Sequence, residues 1–242
     1  MKPDGGDLAR ARSTILSSGG AQARLCSACV DVLPVTGAAV SLLAGEMNQV
    51  TLCASDPVAE RLDELQFDLG EGPCWQASDT GLPVLVPDVR EGQNLSWPLF
   101  GAAIQETSAV AIFAFPLRVG SIGVGALDLY RDQPGPLSAP AMQDAFALAE
   151  ALSWAVLRRL LEDGPPDSEE GLPERYGRRH AGSRREIYQA TGMVLAQLST
   201  TAEGAFALLR ARAFAEGRSV AALARDVIAR RVRFDEPTGG ER

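Results

Sequence analysis

The sequence predicts an α+β fold, an antiparallel sheet with flanking helices, followed by a small three-helix bundle. Three observations lead to this prediction. Five short runs of apolar and β-branched residues alternate with helical patterns over the first two thirds of the chain. A stretch rich in Pro, Gly and acidic residues, EDGPPDSEEGLPERYG at 162–177, then interrupts the pattern. Residues 185–234 contain no Pro and repeat apolar residues at helical spacing.

The five runs are predicted to form one antiparallel sheet. They are Ala38–Ala44, Val50–Ser55, Leu82–Val86, Val110–Arg118 and Ile122–Tyr130. The polar stretch GEMNQ joins the first two runs, which favours a hairpin there. Gly alternates with larger residues in the last run, so another strand or a ligand is expected to approach its backbone closely.

Helices are predicted between these strands at Leu25–Leu33, Val58–Phe67, Pro98–Glu106 and Ala139–Leu161. The segment DLGEGPCWQA contains two glycines and a proline, so it is predicted to be a structured loop. The long helix at 139–161 carries its apolar residues on one stripe. That stripe predicts packing on the sheet and a homodimer contact through the same helix.

The three helices of the bundle have recognisable start and stop signals. The first is predicted from Ser183, as N-cap, to Leu198. The second follows a T-x-x-E capping box, Thr200 with Glu203, and ends near Gly217. Ser219 is the predicted N-cap of the third helix.

The formal net charge of −8 conceals a division of the chain. Residues 1–174 carry −14, residues 175–234 carry 12 Arg against 4 acidic residues, or +8, and residues 235–242 carry −2. A basic unit in an acidic chain predicts a polyanionic partner, and nucleic acid is favoured. Arg210, Arg218 and Arg225 are predicted to lie off the apolar stripes. A membrane surface is disfavoured because the helices lack a bulky apolar face.

Cysteine usage and hydropathy exclude several other classes of protein. Cys26, Cys29, Cys53 and Cys74 are not expected to form a disulfide framework, but to be buried as small apolar residues. One CxxC and the single His180 do not supply the four ligands of a zinc site, so no metal is expected. No apolar run has the roughly 18 residues of a membrane span, and the N-terminus has no signal-peptide pattern. A cytoplasmic location is therefore expected.

The phrases LGEGPCWQASDTGLPVLVPDV, WPLF and SAVAIFAFPLRVGSIGVGALDLYRDQPGPLS resemble the GAF domains of actinobacterial regulators. The resemblance implies a sensory domain at 21–162, after a disordered N-terminus at 1–20 and before a linker at 163–182. GAF domains often hold a small molecule between the sheet and its covering loops. Glu71 and Cys74 are the candidate ligand contacts. The signature of cyclic-nucleotide-binding members is absent and haem lacks a His ligand here, so no cofactor is expected.

The phrase IYQATGMVLAQLSTTAEGAFALLRARAFAEGRSVAALARDVI resembles an ANTAR domain, the RNA-binding module of transcription antitermination regulators. The resemblance covers 183–234, before a tail at 235–242, and implies binding of paired hexaloop stem-loops in nascent mRNA. The family's usual Lys is Thr191 here, and its usual Met is Ala196. The positions that match the family pattern are Ile187, Ala190, Gly192, Leu195, Ala205, Phe206, Leu209, Arg210, Ala213, Arg218, Val220 and Ala224.

Candidate RNA contacts lie on all three predicted helices. They include Thr191, at the position of the family's usual Lys. The missing Lys removes a possible phosphate contact, so RNA affinity is expected either to be lower or to be supplied by Arg184, Arg185 or Arg212. Arginine contacts to phosphate would make binding salt-dependent. The full candidate set is Arg184, Arg185, Thr191, Arg210, Arg212, Arg218 and Arg225.

Three other functions remain open. A DNA-binding regulator would use the last two helices as a helix-turn-helix around Gly217, although Ala dominates the helix that would read bases. A GAF-type methionine sulfoxide reductase would need two thiols that meet, such as Cys53 and Cys74. A scaffold would bind only protein through the bundle. We expect a regulator that is not an enzyme.

Overall fold

The computed structural model of the protein describes residues 5–17, 23–43, 49–91, 96–163 and 178–234. The chain divides into two compact units, residues 1–177 and 178–242. Most of the predicted linker and the predicted tail at 235–242 lie outside the described residues.

The N-terminal unit is built on one five-stranded antiparallel sheet with the strand order β2-β1-β5-β4-β3. The predicted α+β fold and all five predicted strands are confirmed, with ends that differ by one or two residues. The strands are β1 (Gly37–Leu43), β2 (Gln49–Ala54), β3 (Val84–Val86), β4 (Ala111–Val119) and β5 (Ile122–Arg131).

Helices cover both faces of this sheet. One layer contains α1 (Gly5–Ser17), α2 (Ala23–Val32) and α6 (Ala139–Asp163). The other contains α3 (Pro57–Leu69), α4 (Pro73–Thr80) and α5 (Pro98–Ala103), which runs into a 3-10 turn at Ile104–Glu106. Along β5, Leu127 and Leu129 face the first layer, while Tyr130 faces the second. This alternation follows from the two-residue period of a strand.

Gly125 on β5 allows the close approach that the Gly-rich strand predicts. It pairs with Leu42 of β1. A Cβ atom at position 125 would lie 2.0 Å from the carbonyl oxygen of Ser41. Any larger residue would therefore push β1 and β5 apart at the centre of the sheet.

The expected disorder at 1–20 is wrong for residues 5–17, which form α1. Ala11 and Ile15 are buried in the core beneath α6. Arg158 of α6 donates a hydrogen bond from Nη1 to the carbonyl of Leu16, at 2.8 Å. The helix is held by tertiary contacts, because thirteen residues are too few for a stable isolated helix.

The predicted loop in DLGEGPCWQA is also wrong, since Pro73–Thr80 is the helix α4. Gly70 adopts a left-handed conformation (φ 69°) and ends α3. Gly72 (φ 141°) redirects the chain, and Pro73 occupies the first turn of α4, where a missing N–H costs nothing. The glycines and the proline therefore separate two helices.

The C-terminal unit has the three predicted helices: α7 (Arg178–Leu198), α8 (Ala202–Ala215) and α9 (Val220–Ile228). α7 begins five residues before the predicted Ser183, inside the predicted linker. Ser219 caps α9 as predicted, accepting a hydrogen bond from the N–H of Ala222 at 3.2 Å. The predicted capping box is wrong by one residue: Thr201 caps α8 by accepting from Gly204 N at 3.1 Å.

The expectation that the cysteines are unpaired is wrong for two of them, because Cys26 of α2 and Cys53 of β2 form a disulfide. Their Cα atoms lie 6.0 Å apart where α2 packs on the sheet. Cys29 and Cys74 are free and buried, as expected. Sequence spacing does not reveal the pair, because 27 residues separate its members and only the packing of α2 on β2 brings them together.

We predict that the disulfide contributes about 3.5 kcal/mol to the free energy of unfolding, from the loop it closes in the unfolded chain. Cys26→Ala should lower that free energy by about this amount under non-reducing conditions. Urea unfolding with and without a reductant measures it. The reductant should destabilise the wild type and leave the variant unchanged. Equal sensitivity in both proteins would contradict the prediction.

Candidate nucleic-acid interface

The three helices of the C-terminal unit meet around a small apolar core. Four alanines in this core let the helix axes approach closely, and Phe206 is its largest buried side chain. The predicted apolar stripes are confirmed except at Leu198 and Ile228, which are partly exposed. The buried apolar residues are Ile187, Ala190, Val194, Ala205, Phe206, Leu209, Ala213, Val220, Leu223, Ala224 and Val227.

Thr191, at the position where the resemblance puts a lysine, does not reach the surface. Its side chain is buried, and its hydroxyl donates to the carbonyl oxygen of Ile187 at 2.8 Å. Thr191 follows Ile187 by one turn, so both residues face the bundle interior. The expectation that Thr191 contacts RNA is therefore wrong.

Arg212 and Arg218 are engaged within the bundle, through Glu216 at the end of α8. Arg212 Nε lies 2.8 Å from Glu216 Oε1, and Arg218 Nη1 lies 3.2 Å from Glu216 Oε2. Arg218 also pairs with Asp226 of α9, which pairs with Arg231 in turn. The hydrogen bond from Arg212 lowers the pKa of Glu216, and the hydrogen bonds from Arg218 and Arg231 lower that of Asp226. These arginines fasten α8 to α9.

The segment after α9 is held by the same cluster. Arg212 Nη1 donates to the carbonyl of Arg233 at 2.8 Å, and its guanidinium lies 5.1 Å from the ring centre of Phe234. The backbone N–H of Phe234 donates to Gln197 of α7 at 2.8 Å. Arg212 thus has a structural role that its position in the sequence does not show.

The remaining candidates differ in exposure. Arg185 is exposed, and Arg225 is exposed while lying 3.5 Å from Glu186. The guanidinium of Arg210 lies 4.3 Å from the ring centre of Phe206, a cation–π contact that leaves the residue half-buried. The side chain of Arg184 lies outside the described residues. Arg230, which the sequence analysis did not single out, is exposed directly after α9.

The exposed side of α8 carries apolar residues that the sequence analysis also missed. Leu208 is 43% exposed and Phe214 is 55% exposed. Ala207, Ala211 and Ala215 lie beside them and are exposed as well. The signal was present in the sequence, since these five residues recur at steps of three and four, away from the buried stripe.

In the N-terminal unit, the two candidate ligand contacts are engaged within the fold. Glu71 Oε1 accepts hydrogen bonds from the N–H groups of Leu99 and Phe100, at 2.6 and 2.8 Å, so it holds the first turn of α5. Cys74 is fully buried. Burial raises the pKa of its thiol well above the usual value, and Asp128 and Asp63 raise it further. Glu71 therefore has a structural role at α5, and Cys74 is enclosed by the fold.

A polar network lies between the sheet and the layer of α3 and α4. Asp63 of α3 accepts hydrogen bonds from Gln49 at 2.8 Å and from Ser41 and Thr51. Asp128 of β5 accepts one from Gln66 Nε2 at 2.7 Å, while its other oxygen is buried without a partner among the described residues. Burial, and secondarily the charge of Asp63, raise the pKa of Asp128 to about 7, against the lowering effect of Gln66.

A groove lies on the other side of the sheet, between α1 and α2. Its volume is about 270 Å³, and charged and hydroxyl side chains line most of it. In the described parts of the chain, acidic, Cys and His side chains form no group of three or more suited to a metal ion. The groove is lined by Asp7, Arg10, Thr14, Arg24, Ser27 and Asp31 among others.

Comparison with protein families identifies the C-terminal unit. Residues 178–228, which span α7, α8 and α9, match the model of the ANTAR domain. Residues 178–228 form an ANTAR domain. The match begins at the first residue of α7, five residues before the predicted domain start. Comparison with curated proteins found no match for the chain.

Solved structures show the fold of the N-terminal unit. The GAF domain of a phosphoenolpyruvate-protein phosphotransferase from Acinetobacter superposes with a TM-score of 0.52 at 16% identity, covering 67% of this chain and 96% of that one. The corresponding GAF domain from Coxiella burnetii gives a TM-score of 0.53 at 12% identity, covering 66% and 96%. The N-terminal unit has the GAF fold, and the predicted GAF-plus-ANTAR architecture is confirmed.

The thiol-enzyme alternative loses the residue pair on which it depended. Cys53 is bonded to Cys26 and not to Cys74. Cys74 lies in a separate buried cluster with Leu43 and Ala126. A reactive cysteine needs an accessible thiolate of low pKa, and the buried thiol of Cys74 has neither property.

No helix in the described segments is both long and apolar enough to span a membrane.

We predict that Asp128 makes the stability of the GAF unit pH-dependent. Its pKa in the folded state is about 7, above the ordinary 3.8. At pH values between these two, the folded state retains a proton on Asp128 that the unfolded chain has released. The free energy of unfolding therefore falls as pH rises from about 4 to about 7, by on the order of 4 kcal/mol in total. Asp128→Asn keeps the acceptor for Gln66 and should remove this dependence.

Urea unfolding of the full chain across this pH range measures the effect. The variant should match the wild type at the acid end and exceed its stability near pH 8. Asp79→Asn, which changes an exposed carboxylate on α4, is the control and should follow the wild type. Parallel pH profiles of wild type and Asp128→Asn would contradict the assignment.

Proposed function

We propose that the chain is a signal-responsive, RNA-binding regulator of transcription antitermination. The ANTAR domain would bind stem-loop RNA, and the GAF unit would sense a signal. The observation that carries the proposal is the ANTAR match over the whole three-helix bundle. The GAF fold of the N-terminal unit supports the sensing part of the proposal.

The charge and surface of the bundle support RNA as the partner. Among the described residues, Glu186, Glu216 and Asp226 pair with arginines. These acids are already counted in the net charge of +8 of residues 175–234. Arg185, Arg225 and Arg230 are exposed and extend far enough to contact phosphates. Hairpin loops offer unstacked bases, so a small helical surface reads the shape of the loop together with its backbone.

In the proposed mechanism, two ANTAR domains bind paired hexaloop stem-loops in nascent mRNA. The bound form of the RNA excludes the terminator hairpin, so transcription continues. The nascent transcript places this activity in the cytoplasm. The RNA is bound and not converted, so the mechanism requires no catalytic residue. A ligand or other signal at the GAF unit would act by shifting the population of the binding-competent form.

Helix α6 supports a homodimer as part of the proposal. Leu148, Leu152 and Val156 face the core. Trp154 and Leu161, on the other side, are 53% and 77% exposed. A large aromatic and a leucine exposed seven residues apart are typical of a helix that packs against a second helix.

The test is binding of a labelled RNA with two hexaloop stem-loops to the full chain over a series of salt concentrations. The double variant Arg185→Gln/Arg225→Gln should bind more weakly. The slope of log affinity against log salt concentration should be shallower by about one unit for each lost phosphate contact. Both residues are exposed, so the bundle is expected to stay folded.

The matched control is Arg61→Gln/Arg90→Gln, which removes the same charge from exposed positions of the GAF unit. It should leave both affinity and salt slope unchanged. An equal loss in both double variants would mean that net charge alone governs binding. Retention of duplex DNA, with no binding of the stem-loop RNA, would replace the RNA regulator by a DNA-binding one.

A further inference from the structure

The exposed side of α8 forms a continuous apolar strip in a basic domain. We call Ala207, Leu208, Ala211, Phe214 and Ala215 the α8 strip. All five residues are exposed, and they lie within one third of the helix circumference at 100° per residue. Exposed apolar surface of this kind marks a contact site when it is contiguous.

A cation lies along each edge of the α8 strip. Arg210 follows Phe206 by four residues and precedes Phe214 by four, so it lies on the Phe214 side of the helix. Its guanidinium already lies over the ring of Phe206, at 4.3 Å. Arg212 borders the opposite edge, near Leu208 and Ala215, and is held in place by Glu216. The carboxylate of Glu203 lies in the first turn of α8, eleven residues before Phe214.

The size of the α8 strip argues against a second protein as its occupant. Three of its five side chains are Ala, and α8 is about 21 Å long. A stable protein interface buries about 800 Å² on each partner, far more than one Leu and one Phe supply. One exposed aromatic ring with a guanidinium one helical turn away instead matches an unpaired nucleotide, whose base stacks on the ring while its phosphate meets the guanidinium.

We propose that the α8 strip is the base-contacting part of the RNA interface. In this arrangement Phe214 stacks on an unpaired loop base, and Arg210, one helical turn away, lies beside the adjoining phosphate. The inference rests on the proposed function and extends it. It divides the interface into arginines that supply salt-dependent affinity and one aromatic side chain that distinguishes a loop from a paired stem.

The test compares two RNA probes on the full chain: a hexaloop hairpin, and the same stem as a duplex without a loop. Phe214→Ala should weaken binding of the hairpin about tenfold, the effect of losing one stacked base. Its salt slope should stay that of the wild type, because no charge is removed. Binding of the duplex should not change. Circular dichroism melting checks that the variant is folded.

Two further variants separate stacking from general apolar contact. Phe214→Tyr keeps the ring and should bind the hairpin like the wild type. Phe214→Leu keeps an apolar side chain without a ring and should bind as weakly as Phe214→Ala. Leu82→Ala, which removes a leucine 65% exposed on the GAF unit, is the control. With 2-aminopurine in the loop, the wild type should change the fluorescence and Phe214→Ala should not.

The outcomes distinguish failure of this inference from failure of the proposed function. If the wild type binds the hairpin and Phe214→Ala binds it equally well, the stacking role is wrong while RNA binding stands. If the wild type binds neither RNA, both proposals are overturned. Should Phe214→Ala instead dissociate an oligomer in sedimentation velocity, with Phe214→Leu restoring it, the α8 strip would be a protein interface.

Discussion

The side chain of Gln66 is the interaction on which the second helical layer of the GAF unit depends. Its Nε2 donates to Asp128 of β5, and its Oε1 accepts from the N–H of Cys74 in α4. Its backbone carbonyl accepts from the indole of Trp75, at 2.8 Å. One residue of α3 thus joins the sheet to α4. A Cβ atom at Gly72 would lie 2.6 Å from this side chain, so the glycine that separates α3 from α4 also makes room for Gln66.

This arrangement accounts for the chemistry of the neighbouring groups. The network fills the space between the sheet and α4, so Asp128 lies in a dry environment beside a second carboxylate, and Cys74 remains a thiol. Two carboxylates in one buried layer destabilise each other, and only hydrogen bonds from Gln49, Gln66 and nearby hydroxyls offset this cost. The stability of a buried layer with such opposing interactions is sensitive to small changes in charge.

The sequence predicted the sheet and the bundle well because their patterns are local. Short runs of apolar and β-branched residues located all five strands, and side-chain spacing located α7, α8 and α9. Errors arose where contacts between distant residues decided the structure. α1 is stabilised by α6, 120 and more residues later, and the Cys26–Cys53 disulfide depends on how α2 packs on β2. Glu71 acts 28 residues along the chain, on α5.

The candidate site shows the same limit. Arginine content correctly indicated a basic domain, but charge counting cannot tell which arginines are already paired. Arg212 and Arg218 looked equivalent to the exposed Arg185, yet Glu216 and Asp226 pair with them at the surface of the bundle. The opposite error concerns Phe214. Its aromatic side chain in an alanine-rich sequence suggests a core residue, but its position on the helix places it on the exposed side.

A closed bundle whose helices are capped is not expected to change conformation. In the proposed function, regulation therefore acts on how many ANTAR domains reach one transcript. Joining two of them raises affinity for paired stem-loops by a factor of about 10²–10⁴ without any new contact.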